Sequence, residues 1–465
     1  MDLNNLNRDT IVAVSTPHGM GGIAVVRVSG DDAVALVAKR WQGASLETMA
    51  THTAHLGKII DSQGELLDEV VLTLYRAPHS FTGEDVVEIA CHGSVWIQRQ
   101  IVNTLIEAGC RAATGGEFTQ RAFANGKMDL SQAEAIADVI ASGSRAAHRV
   151  AMNQMRGAFG RELSVLRSQL LQFVSLIELE LDFSEEDVSF ADRSKLIDLA
   201  TDIHRVIIRL ADSFQAGNAI KHGVPVAIVG ASNAGKSTLL NGLLRDDRAL
   251  VSDIAGTTRD VIEDTMVLGG VQFRFIDTAG IRESADVIEN MGIERSFQKM
   301  DEAQIVLWVI DATAALAEVD RFVPMIAEHC HDKQLIAVVN KTDVADGGPV
   351  VEALQGRLPE GAAVLPISAK SRADVERLEQ LIVEKAMLPE VDNEALIVTN
   401  ARHYEALVRA GEAIARALEG LRAGVSGDFV SQDIRECMHY LGEITGEIST
   451  DDILGEIFSH FCIGK

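Results

Sequence analysis

The chain has no uninterrupted apolar run of about eighteen residues, the minimum that crosses a bilayer as a helix. Its opening, Met1 to Thr10, is polar and lacks the basic-then-apolar order of a secretory signal. Neither membrane insertion nor secretion is expected. Cysteine is sparse: Cys91, Cys110, Cys330, Cys437 and Cys462 are scattered, with no CxxC pair, and read as reduced thiols of a cytoplasmic protein. Cys91-His92 hints at a metal, but no second ligand pair accompanies it. Proline is scarce too. With 8 Pro and 47% hydrophobic residues, the chain should be ordered, globular and rich in helix. Positive charge is also short, the formal net charge being −26. A protein that grips RNA along its backbone usually carries an excess of Lys and Arg. If nucleic acid is involved here, a partner or a local patch must supply much of the phosphate contact.

At 465 residues the chain is too long for one core, and two to four domains are expected. Residues 1–125 alternate short β-rich stretches (Ile11–Val14, Ile23–Val28, Val70–Leu74, Val86–Ile89) with glycine turns and a helix-like segment near Trp96–Ala108. This predicts a small α+β domain. In 126–221 the pattern turns helical, with Leu163, Leu166, Leu170, Phe173, Ile177 and Leu181 in one stripe at steps of three and four. Residues 222–387 alternate strand and helix signals, as a doubly wound α/β domain does. Residues 388–465 are helical again. The fold class is multidomain α+β: an N-terminal α+β domain, a helical domain formed from two chain segments, and an α/β domain inserted between them.

The inserted segment carries the chemistry. Gly230-Ala231-Ser232-Asn233-Ala234-Gly235-Lys236-Ser237 follows the strand-like Val226–Val229, and Thr238 continues into a helix. In that context the glycine-rich run is a phosphate loop whose N–H groups face phosphates at a helix N-terminus. Lys236 would reach the β- and γ-phosphates, and the Ser237 hydroxyl would ligate Mg²⁺. Asp277-Thr278-Ala279-Gly280 follows another strand; Asp277 belongs in the Mg²⁺ shell, and Gly280 offers its N–H to the γ-phosphate. Between them stand Thr257 and Thr258, one of which supplies a second Mg²⁺ ligand. Asn340-Lys341-Thr342-Asp343 ends a third strand, and the Asp343 carboxylate matches the donor edge of guanine, which adenine lacks. Ser368-Ala369-Lys370 would close over the base. These parts predict GTP, not ATP.

One part is missing. Ile281 follows Gly280, where many switch GTPases have a water-orienting Gln, so hydrolysis must take another route. Asn233 offers one: its amide oxygen, beside the α- and β-phosphates, would ligate a monovalent cation that offsets developing charge. Asn also suits a tight loop for backbone reasons. Glu283, Asp286, Glu289 and Glu294 are the candidate carboxylates to activate or orient water, although most of them read more simply as solvated charges on an exposed helix.

Beyond the nucleotide motifs, Asp9-Thr10-Ile11-Val12-Ala13, Ser80-Phe81-Thr82-Gly83-Glu84-Asp85-Val86, Gly116-Glu117-Phe118-Thr119-Gln120-Arg121-Ala122-Phe123, Leu130-Ser131-Gln132-Ala133-Glu134-Ala135 and Phe461-Cys462-Ile463-Gly464-Lys465 form a specific combination. With these, the chain from Asp9 to Lys465 resembles the MnmE (TrmE) family of tRNA-modification GTPases. The resemblance implies a cytosolic homodimer paired through its N-terminal domains. It also implies joint action with an FAD-binding partner (MnmG, or GidA), in a heterotetramer or larger assembly, on the wobble uridine of certain tRNAs. A tetrahydrofolate, such as 5,10-methylenetetrahydrofolate, supplies the one-carbon unit for a carboxymethylaminomethyl-type group at C5. By the same resemblance Asn233 of the phosphate loop holds potassium together with the carbonyls of Ser252 and Ile254 and the Thr257 position, which belong to the loop Ser252-Asp253-Ile254-Ala255-Gly256-Thr257-Thr258. Ser237 and Thr258 hold Mg²⁺, and Glu289 orients water. Arg27, Glu88, Lys127 and Lys465 fall on the folate site, where without the family Arg27 and Lys127 would read as surface cations and Glu88 as a strand-edge charge. Cys462 falls on a thiol kept near the modification chemistry. Ser232 and Ser184 depart from frequent prolines, and Met20 from a frequent basic residue. A GTPase switch in ribosome assembly is the alternative, but it calls for a basic RNA-binding domain after the nucleotide domain, where 388–465 is acidic and helical.

Overall fold

The computed structural model describes residues 9–182, 193–244, 264–276, 298–388, 396–448, 454–455, 457–458, 461 and 464. It divides into two compact units. One comprises Met1–Ile140, Met152–Ile208 and Glu405–Lys465, the other Ala141–Ala151 and Arg209–Tyr404. Among the described residues no helix is long and apolar enough to cross a membrane.

The first unit opens with β1 (Ile11–Val14), β2 (Ile23–Ser29), α1 (Ala33–Ala38), β3 (Trp41–Gln42), β4 (Thr53–Ile60), β5 (Leu66–Tyr75), β6 (Val86–His92), α2 (Val95–Ala108), β7 (Arg111–Ala112) and α3 (Glu117–Ala124). The strands form one seven-stranded sheet in the order β3-β4-β5-β6-β2-β1-β7. Alternation decides its faces. On β5, Val70, Leu72 and Leu74 are buried while Val71 is exposed. The buried face joins Val26, Val28, Val87, Ile89, Ile101 and Leu105 in a core with α1 and α2, each such side chain contributing about 1.5–3 kcal/mol. On the opposite face Arg27 stands directly across from Glu88, and Leu56 from Val71. The central strand order β5-β6-β2 corrects the bare-sequence reading of Glu88 as a strand-edge charge: β6 has a partner on both sides.

Next come α4 (Leu130–Ala141), α5 (Arg145–Met155), α6 (Ala158–Asp182), α7 (Arg193–Asp212) and α8 (Phe214–His222). The stripe on α6 is buried at Leu163, Leu166, Leu170, Phe173 and Ile177.

The second unit continues with β8 (Val224–Val229), α9 (Lys236–Leu243), β9 (Asp264–Leu268), β10 (Val271–Phe275), β11 (Ile305–Asp311), α10 (Leu316–His329), β12 (Gln334–Asn340), α11 (Gly348–Leu354), β13 (Ala363–Pro366) and α12 (Arg372–Lys385). The six-stranded sheet runs β13-β12-β11-β8-β10-β9, parallel except for β9 against β10. Its central strands are apolar without alternation because both faces are covered. Returning to the first unit, α13 (Ala401–Ala423) leads to α14 (Gly427–Thr445), which buries Val430, Ile434, Leu441 and Ile444 and pairs Arg435 with Glu178 of α6.

The units part at Ile208/Arg209 and Tyr404/Glu405, whereas the sequence draws its boundaries at 221/222 and 387/388. The reason is local. Val398 donates its N–H to Ser213 Oγ at 3.0 Å, and a Cβ on Gly217 would collide with the Val398 carbonyl. Helix α8 and residues 396–400 are therefore packed together in the second unit.

The first unit also buries charge. Arg121, with 3% of its side chain exposed, pairs with Asp9 at 2.8 Å, Glu117 at 3.1 Å and Glu84 at 3.2 Å. Arg111 pairs with Asp9 and Glu117 at 2.5 Å each. The Arg111 guanidinium, with help from Arg121, holds the Asp9 carboxyl below its usual range against the opposing effect of burial. In Glu117 burial pushes upward, but hydrogen bonds from Arg111, the Thr114 N–H and Arg121 outweigh it. Arg121→Leu would take the cation from Glu84 and leave Asp9 and Glu117 to Arg111 alone, at an expected cost of roughly 3–5 kcal/mol. Urea unfolding followed by hydrogen exchange in β1 and β2 reads this, and an unshifted midpoint would refute it. Both carboxyls titrate lower when folded, so the stability they supply is present above their unfolded values of 3.8 and 4.5 and is lost as pH falls through the depressed folded values. The variant should show a shallower acid dependence.

Candidate functional site

The carboxyl ends of β8, β11, β12 and β13 lie at one edge of the parallel sheet, where such sheets bind ligands. From β8 the chain turns through Gly230 and Gly235, both at positive φ (+147° and +100°), into α9. A Cβ on Gly230 would collide with the Val309 carbonyl, and one on Gly235 with the Asn340 side chain. The glycines are thus required by neighbours as well as by dihedral angle, and the loop keeps a backbone cradle ahead of a helix N-terminus. This fits a phosphate chain. Lys236 donates from Nζ to the carbonyls of Gly230 and Ala231 at 2.8 Å each. Burial, with a smaller contribution from Lys299, lowers its pKa from the ordinary lysine value, so its charge is one an anionic ligand would stabilise. Ser237 and Thr238 follow it in the first turn of α9. Asn233 sits at φ +64°, a left-handed conformation that Asn tolerates better than most residues. Backbone geometry therefore accounts for an Asn here independently of any cation.

Asn340 ties the site together. Nearly fully buried, it donates from Nδ2 to the Ala234 carbonyl at 2.8 Å and accepts at Oδ1 from the Ala369 N–H at 2.9 Å. One carboxamide thus joins the phosphate loop to the Ser368-Ala369-Lys370 turn. Asp343 accepts from Ser368 Oγ at 2.9 Å and from Lys370 Nζ at 3.3 Å, and these two donors hold its carboxyl below the usual range, Ser368 the more strongly. The Thr342 N–H donates to Ile367 at 3.2 Å. Two residues that motif reading overlooks also belong here. Asp374 accepts from the Ser368 N–H at 2.9 Å, and Asp311, ending β11, pairs with Lys341 at 2.6 Å. Their only signal is position: an acid at a strand end and one in the first turn of α12.

A second cluster lies in the N-terminal sheet. Arg27 donates from Nε and Nη2 to one oxygen of Glu88 at 2.9 and 2.8 Å. Its guanidinium lies 5.2 Å from the Phe81 ring centroid and 5.7 Å from that of Phe118. With Arg27 and Glu88 half-buried and paired, Arg27 is no simple surface cation. Tyr75 Oη stands 3.5 Å from the other Glu88 oxygen. Lys127 donates to the Pro78 carbonyl at 2.8 Å, and its stem lies against Gly83 of the same 78–83 loop that carries Phe81. A carboxylate, two aromatic rings and two cations fit a flat heteroaromatic ring with an anionic tail. Phe81, Phe118 and Tyr75 escape motif reading, although the first two stand inside the quoted family stretches. The chain's end comes to this sheet: Ser15 Oγ donates to the Gly464 carbonyl at 3.0 Å, just past β1.

Several expected residues lie outside the described ones: Ser252, Asp253, Ile254, Ala255, Gly256, Thr257, Thr258, Asp277, Thr278, Ala279, Gly280, Glu289, Cys462 and Lys465. Among the described residues no group of three or more His, Cys, Asp or Glu is placed to hold a metal. Cys91 and His92 occupy successive strand positions and so point to opposite faces. Burial pushes the Cys91 and Cys110 thiols up to about 11 and those of Cys330 and Cys437 up to about 12, so these four are poor nucleophiles.

Residues 130–462 match the profile of the MnmE helical domain, and residues 10–127 that of the GTP-binding protein TrmE N-terminus. The tRNA modification GTPase MnmE of Bacteroides thetaiotaomicron is 54% identical over 467 residues, covering 99% of this chain and 100% of the relative. That of Parabacteroides distasonis is 55% identical over 462 residues, covering 98% and 100%, and that of Flavobacterium johnsoniae 50% over 466, covering 99% and 100%. With that identity running through the nucleotide segment and both flanks, the chain belongs to the MnmE family of tRNA modification GTPases.

Proposed function

We propose that the chain is a potassium-activated cytoplasmic GTPase that, with an FAD-dependent partner of the MnmG type, adds a carboxymethylaminomethyl-type group to C5 of the wobble uridine of certain tRNAs. The observation that carries the nucleotide half is the Asn340 bridge between the phosphate loop and the base-side turn. Lys236 neutralises the β- and γ-phosphates, the Asp343 carboxylate takes the donor edge of guanine, and the Ser368–Lys370 turn closes the base side. Ser237 and Thr258 would hold Mg²⁺, which would supply positive charge to offset that of the phosphates. Potassium would be held by Asn233, the Ser252 and Ile254 carbonyls and Thr257. Glu289 orients the attacking water in place of the absent Gln, the residue after Gly280 being Ile281.

The one-carbon donor is a tetrahydrofolate, held by Arg27, Glu88, Lys127 and Lys465; when bound it supplies the carbon that becomes part of the new group. Cys462 would contribute a thiol to the modification chemistry. The domain assignment is 1–125 for folate binding and dimerisation, 126–221 and 388–465 for the two helical segments, and 222–387 for the GTPase. Pairing of two chains through the N-terminal sheets is supported by that sheet's outward apolar face, where Leu56 is 76% exposed and Ile23 71%.

Exchange of Na⁺ for K⁺ is expected to raise GTP turnover by at least about a hundredfold. In K⁺, Glu289→Ala should lower kcat by about a hundredfold with KM little changed. Cation-blind turnover together with an unaffected variant would defeat the hydrolysis mechanism. For the other half, calorimetry with 5-formyltetrahydrofolate should show saturable binding by the full chain, weakened at least about tenfold in Arg27→Ala and in the shape-keeping Glu88→Gln. Absence of binding by the unaltered chain would sink the folate assignment and return the ribosome-assembly reading to contention.

A further inference from the structure

The Asp311–Lys341 pair is not accounted for by the motif reading, which treats Lys341 only as a member of Asn340-Lys341-Thr342-Asp343. Both oxygens of Asp311 are committed. Oδ2 accepts from Lys341 Nζ at 2.6 Å, and Oδ1 accepts from the Thr313 N–H at 2.9 Å and from the Thr313 hydroxyl at 2.7 Å. Three donors thus fix the carboxylate at the end of β11. Burial pushes its pKa upward, but Lys341 and Thr313 outweigh this and leave it below the ordinary value, so it is ionised at neutral pH. The backbone around it is equally determined. Asp311 stands opposite Asn340 in the parallel register, and the Ala312 N–H donates to the Asn340 carbonyl at 2.9 Å.

Lys341 needs such support. It is a non-glycine residue at φ +68°, in the left-handed region, where a side chain crowds the backbone. The turn that follows hangs from its carbonyl, which accepts from the N–H groups of Val344 at 2.9 Å and Ala345 at 3.2 Å. A side chain leaving a strained backbone position has few rotamers in which its head still meets the Asp311 carboxylate. The tether therefore fixes the four-carbon stem at both ends, between Asn340, which holds the phosphate loop, and Asp343, which faces the Watson–Crick edge of the base.

We propose that Asp311 is a positioning residue for nucleotide binding, acting through Lys341: the tethered stem is the apolar surface on which the purine ring face rests. This rests on the guanine-nucleotide reading of the same site and extends it. Asp343 selects the edge of the ring, and the Asp311–Lys341 pair holds its face. Because the stem touches the base, far from the breaking bond, the pair acts equally on ground state and transition state.

The test uses the full chain, with GDP and IDP binding measured by calorimetry and GTP turnover in K⁺. Asp311→Asn, which keeps the shape and removes the charge, should raise the Kd for GDP and the KM for GTP together by about tenfold, the loss of one charge-assisted hydrogen bond, with kcat within about twofold. IDP lacks the exocyclic amine but keeps the ring face, so its affinity should fall by the same factor. Lys341→Met, which keeps a stem and loses the head, should reproduce the loss, and adding Asp311→Asn to it should cost nothing more. Thermal melting of each variant separates unfolding from weakened binding, and Thr313→Ala, which loosens the carboxylate without removing it, should give a smaller loss of the same kind. Unchanged GDP affinity in Asp311→Asn overturns the proposal, as does a loss that adds in full to that of Lys341→Met. If the unaltered chain binds no GDP, the nucleotide reading itself fails; if it binds and the variants match it, only the tether fails.

Discussion

The Asn340 carboxamide is the constraint on which the nucleotide site depends. It offers a donor nitrogen and an acceptor oxygen in a fixed plane, and each is used on a backbone group: the Ala234 carbonyl and the Ala369 N–H. Neither an aspartate nor a leucine replaces it. The first has no donor when ionised, and the second leaves two buried backbone groups unpaired, each at a cost of about 1–3 kcal/mol. Other requirements follow from it. Gly235 is glycine because a Cβ would run into the Asn340 side chain, and Gly230 because one would run into the Val309 carbonyl of the neighbouring strand. Three segments distant in sequence are thereby locked in mutual position, and a ligand need not bring these three together.

The N-terminal unit is organised by a different constraint, the burial of Arg121 among Asp9, Glu84 and Glu117. Glu84 also accepts from Ser29 Oγ at 2.7 Å, at the end of β2. The network joins the loop that carries Phe81 to the helix that carries Phe118, and these are the two rings that flank Arg27. Ion pairs of this kind are weak evidence for net stability but strongly resist loss of one partner. Their effect is to fix where two aromatic rings stand, so that a single guanidinium is held on three sides.

Much of this was legible in the chain, and the reason differs by element. Strands β8 and β12 announce themselves because a parallel strand covered on both faces is an apolar run, and the phosphate loop because its glycines stand at a fixed spacing. β4 was not legible: Thr53–Ile60 holds a His, a Gly and a Lys in a strand with one open face. α1 is too short, at six residues, to show a helical period. The company of Glu88 was hidden for a topological reason. Which strands flank β6 depends on pairings between residues far apart in the chain, such as Arg27 with Glu88 and Thr73 with Glu88, and no local pattern encodes them. Asp311 escaped because an acid ending a strand is ordinary until Lys341, brought beside it by strand pairing, takes its oxygen.

The Arg27–Glu88 pair bears on what a ligand can do at the N-terminal sheet. Arg27 Nε and Nη2 both donate to Glu88 Oε1, while Oε2 meets only the Tyr75 hydroxyl among described residues, at 3.5 Å, a distance too long for a good hydrogen bond. A ring with an N–H or amine edge therefore has an acceptor at Oε2 without displacing Arg27, and the ion pair survives binding. Because the pair is neutral as a whole, it offers little to the ligand's anionic tail, and that task falls to cations outside it. Lys127, already anchored to the Pro78 carbonyl on the Phe81 loop, is such a cation. On the proposed folate reading, recognition is thus divided: the carboxylate and aromatic rings read the heterocycle, and lysines read the tail. On that same proposed reading Lys465 would be the second cation for the tail, and the Gly464 carbonyl, accepting from Ser15 Oγ just past β1, ties the described part of that segment to the sheet that carries Arg27 and Glu88.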